Sequence, residues 1–453
     1  MNYEMREVII ELIHEGRFAE LRAYEWDEWL IPDLANLLND LGKSDRVILF
    51  RILPRLIAAE VFAYLEKEER NTLLKDLNDE ETRFILANLS PDDRTALFEE
   101  LPGQATQRML NLLSPSDLKE ARFLLGYPEE SVGRLMSPDY VAVRPHWTVH
   151  RALAHVRAKA HSSETIHTIY VTDDKWKLLD ALDLTHFILA DPDTQVDALM
   201  DDYFVSLSAF DDRELAVHQM QKYDVFSLPV VDSDGILLGL VTFDDVMDVA
   251  EQEATEDFHR SAAMVPLKAG YSTLSIKELV GKRIGWLVIL IILSIISIGV
   301  IASFEKILAS MLVLGFFMTM LCGTGGNAGS QASTLMVRAL ATGDVTVKDW
   351  LQIFLKEMLV GILLGGILGI FGALFGWWQG GAEEGLVVAM IVGLSILVIV
   401  FVSNLIGTTL PFLLTKLNID PAVASNPLIT SITDMLALFI YFTIATAMLS
   451  IVA

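Results

Sequence analysis

The stretch NPLITSITDMLALFIYFTIATAMLSIVA, residues Asn426–Ala453, decides the fold class. It is apolar over a length that, at about 1.5 Å per residue, crosses the roughly 30 Å hydrocarbon core of a bilayer. It carries one charge, Asp434. A carboxylate in such a segment is costly and, as a rule, faces a pathway or a partner. The plain alternative is a protonated or hydrogen-bonded structural aspartate. Thr430 precedes Asp434 by four residues and Asn426 by eight, so on a helix the three share a face.

Four more apolar stretches lie upstream: Ile284–Phe304, Ile307–Cys322, Met358–Trp378 and Leu386–Leu414. The second is too short alone and spans only together with GTGGNAGSQASTLMV, Gly323–Val337. The count is five crossings. The glycines Gly323, Gly325 and Gly326, followed by Asn327, predict a broken end to span two, with backbone carbonyls turned toward a cavity. Irregular backbone at membrane depth requires such cover. The competing reading is close helix packing through small residues. A phosphate-binding loop would need a following lysine, and none follows.

Charge separates this half from the rest. From Gly281 onward there are seven Lys/Arg and eight Asp/Glu. Of the 34 basic and 60 acidic residues in the chain, 27 and 52 therefore lie in 1–280, a net charge of -25. A surface this acidic repels nucleic acid and attracts divalent cations. The single cysteine, Cys322, excludes an intrachain disulfide and a cysteine-rich zinc site. No cleavable signal is legible at the N-terminus. Lys282, Arg283, Arg338, Lys348, Lys356 and Lys416 fall on one set of loops and ends. That bias predicts a cytoplasmic N-terminal half and an outside C-terminus.

Within the soluble half, residues 1–130 read as short amphipathic helices: Arg46–Leu53, Ala58–Leu65, Glu69–Leu77, Glu80–Leu89, Asp92–Leu101 and Gln104–Leu113. Ser90-Pro91 and Ser114-Pro115 place a hydroxyl at the cap and proline at the first helical position. Helices this short need neighbours, and a superhelical array is expected. Residues 133–250 contain an internal repeat. IYVTDDKWKLLDALDLTHFI (Ile169–Ile188) aligns with LPVVDSDGILLGLVTFDDVM (Leu228–Met247), and each copy reads strand, helix, strand, turn, strand, helix. Asp234-Gly235 is a hairpin signal; the first copy lacks the turn glycine. The pair looks like tandem CBS domains, modules that commonly sense adenosine nucleotides or ions.

The donors available in the membrane half are oxygens: Asp434, Asn426, Asn327 and backbone carbonyls. Such a set suits a hard cation. Mg2+ sheds water reluctantly, so one carboxylate per chain with several carbonyls suits a largely hydrated ion. Asp244, Asp245, Asp248, Glu251, Glu253, Glu256 and Asp257 form an acidic run before the first span, and Asp92, Asp93, Glu99 and Glu100 form another group. For any one of these a solvated surface is the simpler reading. The run beside the membrane needs counter-ions when the domains approach.

These parts in this order resemble the MgtE family of magnesium channels and transporters, over essentially the whole chain. The segments that carry the resemblance are GTGGNAGSQASTLMVRALATGD (Gly323–Asp344), FLKEM (Phe354–Met358), LPFLL (Leu410–Leu414) and DPAVASNPLITSITD (Asp420–Asp434). The resemblance implies a multidomain chain. It has an all-α superhelical N domain (1–130), α/β CBS domains (131–196 and 197–250), a connecting plug helix (251–280) and a five-helix transmembrane pore domain (281–453). It also implies a homodimer with the pore between protomers, lined by Asp434, Asn426, Thr430 and Gly323–Asn327, with Asp420 at the mouth. Regulatory Mg2+ sites map onto Asp224, Asp245, Asp248, Glu253, Glu256 and Asp257, and in the N domain onto Glu60 and Asp92 or Asp93. One departure is Thr319, where the family usually has proline. The function implied is Mg2+ uptake across the inner or plasma membrane, closed by cytoplasmic Mg2+, with a possible adenosine nucleotide at the CBS pair. The chain is expected not to be an enzyme. The alternatives are a broader Co2+, Ni2+ or Mn2+ transporter and a membrane-anchored nucleotide sensor.

Overall fold

The computed structural model describes residues 3–267, 271 and 274–452. Part of the expected connecting segment, residues 268–270 and 272–273, lies outside them. The chain divides into two compact units, Met1–Glu251 and Gln252–Ala453.

The first unit opens with short helices, among them Lys43–Ile52, Arg55–Ala63, Lys67–Asp76, Asp79–Asn88, Pro91–Glu100 and Gly103–Leu110. Each starts one to three residues before the amphipathic run read from sequence, because the cap and not the first apolar residue begins the helix. Ser90 and Ser114 accept from the backbone N–H three residues on, and Asn78 with Glu81 closes a reciprocal cap. The helices end by a common device. Leu41, Leu53, Leu77, Leu89 and Leu101 follow the last helical residue in extended conformation, with ψ between 144° and 146°. An extended residue stops the helix and drops the leucine into the core, where Leu41, Leu53, Leu65, Leu77 and Leu89 are buried. These positions recur every twelve residues. At every second repeat an arginine is drawn inward. Arg46 donates to the carbonyls of Leu38 (2.8 Å) and Leu41 (2.9 Å) and lies 3.6 Å from Glu69. Arg70 pairs with Glu100, and Arg94 with Glu120.

The repeat over 133–250 folds as two matching sheets. Strands β1 (Ala142–Val143), β2 (Thr168–Thr172) and β3 (Leu178–Asp183) form one, and β4 (Leu207–Ser208), β5 (Ser227–Val231) and β6 (Leu237–Thr242) the other. In each the first strand runs parallel to the second, and the second and third form an antiparallel hairpin. Gly235 turns the second hairpin with φ 79°; at the aligned position of the first, Trp176 takes φ 67°. Both turns are tied alike. Asp232 Oδ1 accepts from the N–H of Asp234 and Ile236, and Asp173 Oδ1 from those of Lys175 and Lys177. The Arg144 guanidinium lies 4.5 Å over the Trp176 ring, a contact that offsets the cost of a left-handed tryptophan. After β6 the helix Phe243–Ser261 runs without interruption, so it crosses the expected boundary at 250/251 instead of starting there.

In the second unit, among the described residues, five helices are long and apolar enough to span a membrane: Ile276–Ser303, Leu312–Ala341, Val347–Ala382, Glu384–Lys416 and Asn426–Ser450. The expectation of a broken glycine segment in span two is corrected. Met318–Ala341 is a continuous α-helix that contains all of GTGGN, and the irregular part precedes it as the 3-10 stretch Leu312–Phe317. Thr319 sits in the first turn of that helix, where a proline would cost no internal hydrogen bond. Gly381, at φ 68° and ψ -159°, turns span three into span four through a conformation reserved for glycine.

Candidate functional site

Along the helix Met318–Ala341, Gly323, Asn327, Ser330 and Thr334 recur at spacings of four, three and four, and so line one face. Along the helix from Asn426, the face carries Asn426, Thr430 and Asp434. The two faces meet. Ser330 Oγ lies 3.4 Å from the Asn426 carbonyl oxygen and 3.3 Å from Thr430 Oγ1, and Thr334 Oγ1 lies 3.1 Å from Asn426 Oδ1. The Cys322 thiol reaches the Asp434 carbonyl oxygen at 3.8 Å. Asp434 is half-buried, and its Oδ1 is enclosed without a hydrogen-bond partner among the described residues. Gly323, Asn327, Thr334 and Asn426 stand exposed on the single chain. Oxygen and amide groups at that depth need water, an ion or protein over them, because hydrocarbon offers no hydrogen bonds.

Gly325 and Gly326 are a correction to the expected lining. Both are buried, and a Cβ would fall 2.7 Å from the Ile399 side chain and 2.9 Å from that of Thr430. They let helices approach, as the small-residue reading of the segment holds.

The soluble unit holds a second acidic place. Asp92 is buried, and its Oδ1 has no hydrogen-bond partner among the described residues. Burial, then the neighbouring charges of Asp245, Glu164 and Asp93, raises its carboxyl well above the usual range. Burial pushes Asp245 up to about 7, against the hydrogen bond it accepts from Thr242 Oγ1 at 2.5 Å. Asp93, Glu164, Asp139 and Asp248 shift upward for the same first cause. Glu164 and Asp139 are members that the sequence reading missed, since neither lies in an acidic run. Oxygen donors, crowding and an orphaned buried carboxylate oxygen fit a hard divalent cation. Among the described residues no three such side chains gather closely enough to make a ready cage, so an ion there keeps much of its water.

The other expected ligands are dispersed. Glu60 lines an open depression of about 240 Å³ with Asn88, Ser90 and Asp93. Asp224 is exposed and ends the helix Arg213–Tyr223 with φ 53°. Glu253, Glu256 and Asp257 lie on the helix Phe243–Ser261. Arg260 pairs with both Glu256 and Asp420, and Asp420 Oδ1 also accepts from Ala422 N–H at 2.7 Å. Asp420 is therefore held by a guanidinium and a turn. Sequence reasoning gave no role to Ser330, Thr334 or Asn404, the last inside the fourth span, whose amide donates to Glu357 Oε2 at 3.0 Å and to the Glu357 carbonyl at 2.9 Å.

Family models match three regions: a divalent cation transporter model, MgtE, over 318–444; the MgtE intracellular N domain over 31–130; and CBS domains over 132–193 and 196–251. A Thermus thermophilus protein named magnesium transporter MgtE is 40% identical over 446 residues, 98% of each chain. The chain belongs to the MgtE family. A Bacillus subtilis MgtE is 31% identical over 97% of this chain and 96% of its own. Among solved structures, the cytosolic domain of the Mg2+ channel MgtE in complex with ATP is 37% identical, with a TM-score of 0.52. It covers 54% of this chain and 99% of its own length. The soluble part of a magnesium transporter is 27% identical, with the same TM-score, over 55% of this chain and 98% of its own. The helical N domain, the CBS pair and the five apolar helices are thus the parts that the family predicts.

Proposed function

We propose that this MgtE-family chain conducts Mg2+ across the inner or plasma membrane as a homodimer, with the N-terminal half cytoplasmic and the C-terminus outside. The carrying observation is the polar stripe: Asp434, with a carboxylate oxygen unpartnered among the described residues, shares one helical face with Thr430 and Asn426, and these two meet Ser330 on the helix face that also carries Asn327. One carboxylate and neutral oxygens per chain are few for a hydrated ion, and two copies facing each other supply both the cover and the second charge. The relatives named as magnesium transporters support the choice of ion. Uptake of Mg2+ into liposomes by wild type and Asp434→Asn tests it, and equal uptake by the two would reject the pore assignment.

Regulation is assigned to the soluble half, organised as 1–130, 131–196 and a second CBS domain from 197 whose last helix, Phe243–Ser261, runs unbroken into the linker that ends at 280. Cytoplasmic Mg2+ relieves the repulsion among Asp92, Asp93, Asp245 and their neighbours, favours the compact state and so closes the path. Glu253, Asp257 and Asp224 add weaker sites, and Glu256 and Asp420 take part only on releasing Arg260. Only an ion that binds the compact state more tightly shifts such an equilibrium. The CBS pair is assigned an adenosine nucleotide, supported by the ATP complex of the related cytosolic domain.

A further inference from the structure

Thr334 stands on the exposed face of the second span beside Asn426. Its hydroxyl oxygen lies 3.1 Å from Asn426 Oδ1 and 2.9 Å from the backbone oxygen of Ser330. A threonine hydroxyl has one proton and donates one hydrogen bond. The shorter contact, to the carbonyl one turn back, is the bond that threonine makes within helices. With the proton committed there, an Asn426 oxygen beside Thr334 would set two acceptors against each other. Exchanging the oxygen and nitrogen of the amide leaves the shape of the side chain unchanged. The Asn426 Nδ2–H group then donates to Thr334 Oγ1, and a donor meets an acceptor at both of the threonine's contacts.

The orientation matters to the ion. Mg2+ travels with several of its waters, and waters bound to a cation point their hydrogens outward. A group that touches such an ion has to accept hydrogen bonds. We infer that Thr334 is a positioning residue for conduction, holding the amide nitrogen of Asn426 so that its carbonyl oxygen faces the hydrated cation. Ser330, through its contacts with the Asn426 carbonyl and Thr430, ties the start of the fifth span to the same helix. The inference rests on the pore reading proposed above.

The test is Mg2+ uptake by the full chain in liposomes, comparing Thr334→Val, Thr334→Ala and Thr334→Ser. The two variants without a hydroxyl should raise the half-saturating Mg2+ concentration about fivefold, the factor that one net hydrogen bond carries. Maximal uptake and the melting temperature should change little, and Thr334→Ser should match wild type. Thr334→Ala keeps the test intact if valine perturbs folding. Wild-type half-saturation in either hydroxyl-free variant overturns the inference. So does a serine variant as impaired as valine, since the methyl group and not the hydroxyl would then matter. Asp434→Asn, run alongside, separates the levels. If it blocks uptake while Thr334→Val does nothing, only the positioning role falls. If it leaves uptake unchanged, the pore reading falls and takes this inference with it.

Discussion

Two acidic places in one chain use carboxylates to opposite ends. In the membrane helices Asp434 is one carboxylate among neutral oxygens, with Thr430 and Asn426 along its face and Ser330 across from them. In the soluble unit burial first, and then the charges of neighbouring carboxylates, opposes the ionisation of Asp92, Asp93, Asp245 and Glu164. A lone charge in a polar stripe attracts a passing cation without a cage to hold it. A crowd of charges stores repulsion that cations or protons relieve. The first arrangement suits passage and the second suits sensing, and the comparison can be broken at either end.

The largest effect is expected at the lone charge. Asp434→Asn keeps the shape and removes one charge per chain. Between a carboxylate and a divalent ion about 5 Å apart, the attraction at an effective dielectric of ~20 is several kcal/mol. Mg2+ uptake into liposomes should fall by about a hundredfold or more, with the detergent-solubilised protein still folded.

The crowd should behave otherwise. Joint replacement of Asp245, Asp248, Glu253, Glu256 and Asp257 by amides should leave permeation intact and shift the inhibitory Mg2+ concentration by about tenfold, since several weak sites add their differential free energies. Uptake against internal Mg2+ measures this, and loss of permeation itself would erase the distinction between the two places.

Acidity offers a third handle. Asp92 and Asp93 are raised in the folded state and Asp245 is pushed up to about 7, against about 3.9 for an unperturbed aspartate. The folded unit therefore holds extra protons between about pH 4 and 7. The stability they confer is full below about 4 and is lost as pH rises through 7. In EDTA, protection from proteolysis should be greater at pH 5.5 than at pH 8. Added Mg2+ should restore more protection at pH 8, where it meets ionised carboxylates. The reverse order would mean that protons and cations do not share this place.

The smallest effect is at a single member. Asp92→Asn removes a carboxylate that burial and the charges of Asp245, Glu164 and Asp93 oppose, and at pH 8 in EDTA should raise the stability of the soluble unit by about 1 kcal/mol, the scale of a one-unit pKa shift. Thermal melts should show a smaller stabilisation by Mg2+ than in wild type.

The five spans were legible because long apolar runs leave few alternatives, and the hairpin at Asp234-Gly235 because its turn chemistry is local. What failed needed a partner distant in sequence. Glycine supports both a broken helix and a close-packed one; Ile399 and Thr430 decide between them at Gly325 and Gly326. Ser90-Pro91 announces a helix start but not which of Asp92 and Asp93 turns inward; the fold buries Asp92 and leaves Asp93 open on one side. Trp176 in a left-handed turn has no local signal, since the repeat alone marks its position against Gly235. Thr334 has no local mark either, since Asn426, the residue it meets, lies 92 positions away in the chain.

The leucines of the N-terminal array recur every twelve residues and its inward arginines, Arg46, Arg70 and Arg94, every twenty-four. The array thus has a grammar of two nested word lengths. A deletion of six residues would strand a leucine on the wrong side of its turn. A deletion of twelve would keep every leucine in register but bring an arginine to a position where its alternate stands. Loss or duplication of twenty-four residues preserves both, so natural length changes in this array should come in that step.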